Sequence, residues 1–151
     1  MPSLIRGRRV RPFRILLVED DVVDQMTVER AFDRAKIINE LFKAENGVEA
    51  LEYMRGENSK EKIPWPYIIL LDLNMPKMNG LEFLEEIRND ETLAKVPVIV
   101  LTSSIREEDI CESYKQHVAG YISKPVELGD FIEKMATFGT YWAMCESCNE
   151  R

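Results

Sequence analysis

The fold is decided by the stretch Tyr67-Ile68-Ile69-Leu70-Leu71-Asp72, in which five apolar residues lead to a single carboxylate. A continuous apolar run of this length is typical of a strand buried on both faces of a parallel sheet. The strand leads into the polar loop Leu73-Asn74-Met75-Pro76-Lys77-Met78-Asn79-Gly80. Because a charge at the tip of a buried strand is costly without a partner, Asp72 is predicted to belong to a functional site.

Four similar apolar runs and five helical patterns surround this strand. Strands are predicted at residues 13–18, 41–44, 67–71, 96–101 and 119–122. Apolar spacings of three and four residues predict helices that contain Val28, Leu51, Leu84, Ile110 and Phe131. Strands that alternate with helices form right-handed βαβ units, which build a parallel sheet. The predicted fold class is α/β, a five-stranded, doubly wound parallel sheet with helices on both faces.

Composition places the chain among ordinary globular proteins. It has 151 residues, of which 45% are hydrophobic and 31% charged, and this suits one compact domain with its own core. No apolar stretch reaches the roughly 20 residues of a membrane span, and the N-terminus lacks a secretory signal. Three cysteines do not suggest an extracellular disulfide framework. A cytoplasmic location with reduced thiols is therefore predicted.

Charge is divided unevenly along the chain. The formal net charge is −7, but the leader at residues 1–12 contains no acid and four arginines, Arg6, Arg8, Arg9 and Arg11. Since these arginines contribute +4, the remainder carries −11 and should repel nucleic acid. The leader is predicted to be a flexible, solvated tail. Contact with DNA or with an acidic partner surface is the alternative.

Polar residues follow the predicted strands at their carboxyl ends, where doubly wound sheets bind their ligands. They are Glu19, Asp20, Asp21, Asp72, Thr102, Ser103 and Lys124. Singly, each has an ordinary structural explanation, because an aspartate or a threonine can cap a helix and a lysine can be solvated. Together, three carboxylates raise one another's proton affinity unless positive charge compensates them. A divalent ion and Lys124 would supply that charge.

The ligand atoms of this group indicate which ion it would bind. Carboxylate oxygens with room for water suit Mg²⁺, or Mn²⁺ as a substitute, whereas the group lacks the His and Cys ligands that zinc prefers. The single histidine, His117, is predicted to lie inside the fourth helix in a structural role.

Four motifs together resemble those of response-regulator receiver domains. They are Leu17-Val18-Glu19-Asp20, the loop from Asp72 to Gly80, Thr102-Ser103-Ser104 and Lys124-Pro125, and the likeness spans residues 13–138. The resemblance implies a flavodoxin-like strand order of 2-1-3-4-5. It also implies that Asp72 accepts a phosphoryl group from a phosphohistidine on a sensor histidine kinase. Such a domain is not an enzyme in the ordinary sense, although it catalyses its own phosphorylation and dephosphorylation.

The resemblance implies how the neighbours of Asp72 act. Asp20, Asp72 and the backbone carbonyl of Asn74 bind Mg²⁺ directly, and Glu19, where many receivers have Asp, binds it through water. Lys124 pairs with Asp72 and then with the phosphoryl group. Phosphoryl transfer requires positioning and charge neutralisation, and these residues would supply both.

Further implied roles concern switching and lifetime. Thr102 bonds a phosphoryl oxygen, and Tyr121 is placed like the switch aromatic that moves inward with it; a simple core tyrosine is the alternative. Asn74 and Ser104 occupy the positions that tune dephosphorylation. The Lys124–Pro125 peptide is expected to be cis and to aim the lysine.

Partners are expected to read a changed surface of helix 4, strand 5 and helix 5. Residues 139–151 form an apolar C-terminal extension that must pack somewhere. This extension and a long loop at residues 55–66 make the chain similar to stand-alone regulators paired with bacterial phytochromes. The implied assembly is a homodimer through helix 4, strand 5, helix 5 and the extension, without a DNA-binding domain.

Two other functions could use an acid at the end of a strand or the same fold. A phosphatase of the haloacid dehalogenase type also uses a strand-end aspartate with Mg²⁺, but its motif has Asp two residues on, where this chain has Asn74. A flavin or nucleotide carrier would need a glycine-rich loop after the first strand, and residues 19–26 contain no glycine.

Cys145 and Cys148 form a single CxxC motif, which cannot complete a zinc site by itself. The motif is interpreted as a frayed helix end, with redox chemistry or an interchain disulfide as alternatives.

Overall fold

The fold is a parallel sheet between two layers of helices, seen in a computed structural model that describes residues 4–5, 8–9, 13–124 and 127–145. The five described strands of this sheet are β1 (Arg14–Val18), β2 (Leu41–Ala44), β3 (Tyr67–Leu71), β4 (Val98–Thr102) and β5 (Gly120–Ser123). All neighbouring pairs are parallel, and the order across the sheet is β2-β1-β3-β4-β5. The predicted fold class and strand order are confirmed.

Within the described ranges, five helices alternate with the strands, as predicted. They are α1 (Val22–Arg34), α2 (Gly47–Arg55), α3 (Gly80–Arg88), α4 (Glu107–Lys115) and α5 (Leu128–Met144). α1 and α5 cover one face of the sheet, and α2 and α3 cover the other. α4 lies against α3 and β5.

The central strand β3 is buried along its whole length, and its side chains divide between two cores. Ile69 and Leu71 pack with α2 and α3, whereas Ile68 and Leu70 pack with α1 and α5. This alternation follows from the two-residue period of a strand. An apolar residue on either face is therefore buried, and the strand holds the backbone of the following Asp72 firmly.

The prediction that His117 lies inside the fourth helix is wrong. α4 ends at Lys115, and His117 lies in the turn that follows, with a φ of 58° and an exposed side chain. Its N–H donates to the carbonyl of Tyr114 at 3.0 Å. A left-handed residue cannot continue a right-handed helix, so the apolar spacing that suggested one more turn was misleading.

The predicted domain boundary at residue 138 falls in the middle of a helix. α5 runs on to Met144, and the Trp142 ring lies 6.1 Å from the Phe138 ring and 6.2 Å from the Phe13 ring. The first part of the predicted C-terminal extension therefore packs against its own domain. Exposed Cys145 follows the helix directly. Cys148 lies outside the described residues.

In the leader, Leu4–Ile5 pairs antiparallel with Arg8–Arg9. The flexibility of residues 1–12 stays a prediction. Across the described ranges, no helix is both long enough and apolar enough to cross a membrane.

Candidate functional site

The site lies where the carboxyl ends of β1, β3, β4 and β5 meet at one edge of the sheet. Asp72 directly follows β3 and is 6% exposed, and Thr102, the last residue of β4, is fully buried. The Thr102 hydroxyl donates to Oδ1 of Asp72 at 2.7 Å. Lys124 directly follows β5, and its N–H donates to the carbonyl of Thr102 at 2.8 Å. The structure thus brings these three predicted site residues together.

Three carboxylates form the predicted acidic cluster. Oxygens of Glu19, Asp20 and Asp72 all lie within 4.8 Å of one another, with Asp20 exposed and the other two buried. Asp21 is not part of this cluster, because its carboxylate caps α1 by accepting from the N–H of Val23 at 2.8 Å. For Asp21, the ordinary explanation of a helix cap is therefore the right one.

Lys124 supplies positive charge to the cluster, but its main partners differ from the predicted one. Its Nζ atom bonds Glu19, lies 2.8 Å from Oδ2 of Asp24 and only approaches Oδ2 of Asp72 at 4.0 Å. The expected pairing of Lys124 with Asp72 is thus its longest ionic contact, because Glu19 and Asp24 hold the ammonium group. Sequence reasoning missed Asp24, although its position in the first turn of α1 places it at this edge of the sheet.

Burial and charge shift the pKa values in the site. Burial, reinforced by the charge of Asp72, raises the pKa of Glu19 to about 7, although the hydrogen bond from Lys124 opposes this change. Burial also acts to lower the pKa of Lys124, but hydrogen bonds to Asp24 and Glu19 outweigh it and the pKa rises. The lysine therefore stays charged, and the carboxylates keep an excess of negative charge that a cation would relieve.

The donor atoms of the acidic cluster fit a divalent metal ion. Glu19, Asp20 and Asp72 offer hard carboxylate oxygens, and exposed Asp20 leaves room for the water ligands that Mg²⁺ retains. Among the described residues, no other group of His, Cys, Asp and Glu side chains comes together in this way. Asn74 is exposed two residues after Asp72, and the binding of metal by its backbone carbonyl stays a prediction.

The loop after β3 is held against the site by close backbone contacts. The N–H of Gly80 donates to the carbonyl of Leu73 at 2.9 Å, and a Cβ atom at Gly80 would lie 2.6 Å from the carbonyl oxygen of Asp72. Only glycine allows α3 to begin so close to the phosphoacceptor candidate. Asn79 and Glu82 then form a capping box that fixes this start of the helix.

Ser104 connects the buried hydroxyl of Thr102 to the outer surface. Its N–H donates to Oγ1 of Thr102 at 3.4 Å, and its carbonyl accepts from the Tyr121 hydroxyl at 2.9 Å. Its own hydroxyl donates to Oδ2 of Asp109 in α4 at 2.6 Å. Burial raises the pKa of Tyr121. The two predicted switch residues are therefore linked through Ser104, and Asp109 is a further partner that the sequence did not reveal.

The predicted cis peptide between Lys124 and Pro125 lies outside the described residues.

A five-stranded sheet of order 2-1-3-4-5, with clustered acids, a hydroxyl and a lysine at its carboxyl edge, defines a receiver domain. The family model for the response regulator receiver domain matches residues 15–136, and the chain belongs to this family. It is a response regulator of the two-component type, which signals through a phosphorylated aspartate.

Known relatives agree with this assignment. Response regulator Rcp1 of Synechocystis is 37% identical over 131 residues, covering 87% of this chain and 89% of its own length. The Mn²⁺-bound structure of Rcp1 covers 92% of this chain and 100% of its own, with a TM-score of 0.80 and 34% identity. The phosphorylated cyanobacterial phytochrome response regulator RcpA covers 93% of this chain and 100% of its own, with a TM-score of 0.82 and 35% identity.

Proposed function

We propose that Asp72 is the residue that accepts the phosphoryl group, and that the donor is a phosphohistidine of a sensor histidine kinase. The observation that carries this proposal is the pairing of a nearly buried Asp72 carboxylate with Thr102 at 2.7 Å, beside Glu19, Asp20 and Lys124. A shielded carboxylate surrounded by groups that bind phosphoryl oxygens is suited to attack phosphorus.

In the transfer step, an Asp72 carboxylate oxygen attacks the phosphorus atom while the bond from phosphorus to the donor nitrogen breaks. The histidine leaves with the electron pair of that bond, and an acyl phosphate remains on Asp72. Thr102 donates its hydroxyl hydrogen to a phosphoryl oxygen, and Lys124 pairs with another. A divalent cation held by Glu19, Asp20 and Asp72 would supply further positive charge to these oxygens.

Dephosphorylation returns the site to its starting state. A water molecule attacks the phosphorus, the bond from phosphorus to the Asp72 oxygen breaks, and inorganic phosphate leaves. Exposed Asn74 and half-buried Ser104 border the site, so they would control how water reaches the phosphorus atom.

The signal leaves the site through Thr102, Ser104 and Tyr121. When the Thr102 hydroxyl turns from Asp72 to a phosphoryl oxygen, its contact with the Ser104 N–H is disturbed. Ser104 also holds Tyr121 and the α4 residue Asp109, so the loop between β4 and α4 would shift. Partners would therefore read the surface formed by α4, β5 and α5.

Incubation with acetyl phosphate and Mg²⁺ tests the role of Asp72. The wild type should shift on a phosphate-affinity gel, Asp72→Asn should not, and excess chelator should prevent the shift. Asp21→Asn is a matched control, because Asp21 caps α1 and should leave the shift intact. An equal shift for Asp72→Asn would overturn the assignment. Rapid turnover of a phosphomonoester would instead favour the phosphatase interpretation.

The proposal extends to a bacterial phytochrome as the kinase. The similarity to Rcp1 and to the phytochrome regulator RcpA supports this choice. Purified phytochrome kinase should transfer phosphate to the chain much faster than a histidine kinase of another pathway does. Equal rates from both donors would count against the pairing. A kinase that uses ATP acts in the cytoplasm, and we place this chain there too.

We further propose a homodimer through α4, β5, α5 and the C-terminal extension. Apolar side chains support it, since Ile105 is 75% exposed beside α4 and Met144 is 71% exposed at the end of α5. Light scattering before and after phosphorylation should show a dimer that Ile105→Glu weakens. Ile38→Glu is the control, because Ile38 is 88% exposed but lies between α1 and β2. A monomer in both states would rule the dimer out.

A further inference from the structure

Asp24 is an acidic residue close to the site that receives no role in the phosphoryl transfer described above. It lies in the first turn of α1, and its Oδ2 atom is 2.8 Å from Nζ of Lys124. Its side chain is 42% exposed, whereas that of Lys124 is 15% exposed. Asp24 therefore approaches the lysine from the rim of the site rather than from its buried centre.

The position of Asp24 sets it apart from the other partners of the lysine. Glu19 and Asp72 belong to the acidic cluster that fits a divalent ion, but Asp24 does not. A cation in the cluster would compensate the negative charges of Glu19 and Asp72. It would not compensate the charge of Asp24, which would still attract Lys124. Asp24 is then the carboxylate that competes most directly for Lys124.

This competition opposes the movement that phosphoryl binding requires. Nζ of Lys124 lies 4.0 Å from Oδ2 of Asp72, too far for a hydrogen bond, and 2.8 Å from Asp24. To pair with a phosphoryl group on Asp72, the ammonium group must give up part of its contact with Asp24. The same lysine cannot make a short contact with both groups at full strength.

We propose that Asp24 is a positioning residue that holds Lys124 on the α1 side of the site and thereby restrains the binding of a phosphoryl group at Asp72. The inference rests on the proposed role of Asp72. Removing the charge of Asp24 should free the lysine to move toward Asp72. Pairing of Lys124 with a phosphoryl group on Asp72 then costs less free energy.

A double-mutant cycle in the metal-free protein tests whether the pair exists. The variants are Asp24→Asn, Lys124→Met and both together, and urea unfolding in excess chelator measures their equilibrium constants. The expected coupling between the two positions is about three- to fivefold, as for a partly exposed pair of good geometry. A coupling below about 1.5-fold would overturn the proposal.

Binding of beryllofluoride with Mg²⁺ tests the restraint itself, since this ion mimics a phosphoryl group on a carboxylate. Asp24→Asn should bind it about three- to tenfold more tightly than the wild type. The control Asp33→Asn removes an exposed acid nine residues further along α1 and should change the affinity little. Unchanged or weaker binding by Asp24→Asn would overturn the proposal, even if the pair exists.

Variants that lack Lys124 show whether Asp24 acts through the lysine or repels the beryllofluoride anion directly. In Lys124→Met, the further change Asp24→Asn should alter beryllofluoride affinity by less than about 1.5-fold. An increase as large as in the wild type would show that Asp24 repels the anion directly, and would overturn the proposal. If wild type failed to bind beryllofluoride at all, the proposed role of Asp72 would fail as well.

Discussion

Replacing Glu19 by glutamine should remove most of the pH dependence that the metal-free protein shows in its folding stability between about pH 4.5 and pH 7. Glu19 is 2% exposed, and burial, reinforced by the charge of Asp72, raises its pKa from 4.5 to about 7. The folded protein therefore holds this proton more tightly than the unfolded chain does. As pH rises through this range, the metal-free protein should lose stability, and above it the stability should level off.

The size of the loss follows from the shift in pKa. One unit of pKa corresponds to about 1.36 kcal/mol, so a shift from 4.5 to about 7 should lower the free energy of unfolding by at most roughly 3–4 kcal/mol. Glutamine has nearly the same shape as glutamate and does not ionise. The free energy of unfolding of Glu19→Gln should therefore change little between about pH 4.5 and pH 7.

Urea unfolding at about pH 5 and about pH 8 measures this difference in excess chelator. Addition of Mg²⁺ should restore stability to the wild type at the higher pH, because a cation compensates the ionised carboxylates. A wild type that loses less than about 0.5 kcal/mol, or a variant that loses as much as the wild type, would refute this account of the acidic cluster.

Three further variants test how the site is held and how the helix end packs. Gly80→Ala should lower the free energy of unfolding by about 1–3 kcal/mol and slow phosphorylation, because its Cβ would collide with backbone atoms of Asp72 and Leu73. The control Gly129→Ala has open space around the new Cβ and should be neutral or stabilising. Trp142→Ala should lower the free energy of unfolding by about 1–3 kcal/mol through lost aromatic packing, measured in urea. Asp109→Asn weakens a charged hydrogen bond from Ser104 and so makes it easier for the loop between β4 and α4 to shift on phosphorylation. Acetyl phosphate should therefore label this variant about two- to fivefold faster, as measured on a phosphate-affinity gel.

Much of the sheet and the position of the site could be predicted from the sequence. The run from Tyr67 to Leu71 is apolar at every position, and a strand of this kind is buried on both faces. Parallel strands bring their carboxyl ends to a common edge, so residues far apart in sequence had to meet there. Asp72 and Thr102 accordingly form a direct hydrogen bond.

The partners of Lys124 could not be predicted in the same way. Which carboxylate a long side chain reaches depends on the rotation of α1 about its axis and on the rotamers of both residues. Sequence spacing fixes neither. Asp24 therefore emerged as a partner only from the structure.

The end of α5 shows a second limit. The predicted boundary placed residues 139–151 in an extension after the last helix, but α5 continues through Gly139 to Met144, and this glycine faces a tight contact with its own domain. A Cβ atom at Gly139 would lie 3.1 Å from Cγ1 of Ile37. A glycine inside a helix can mark a close approach as well as an end, and sequence alone does not distinguish the two.

The assignment of Asp72 as the phosphorylated residue is tested most directly by locating the acyl phosphate itself. After treatment with acetyl phosphate and Mg²⁺, borohydride reduction converts a phosphorylated aspartate to homoserine, which peptide mass spectrometry identifies. We expect conversion at Asp72 alone and none in the Asp72→Asn variant. Conversion at Asp20 or Asp21, or undiminished labelling of the variant, would contradict the assignment.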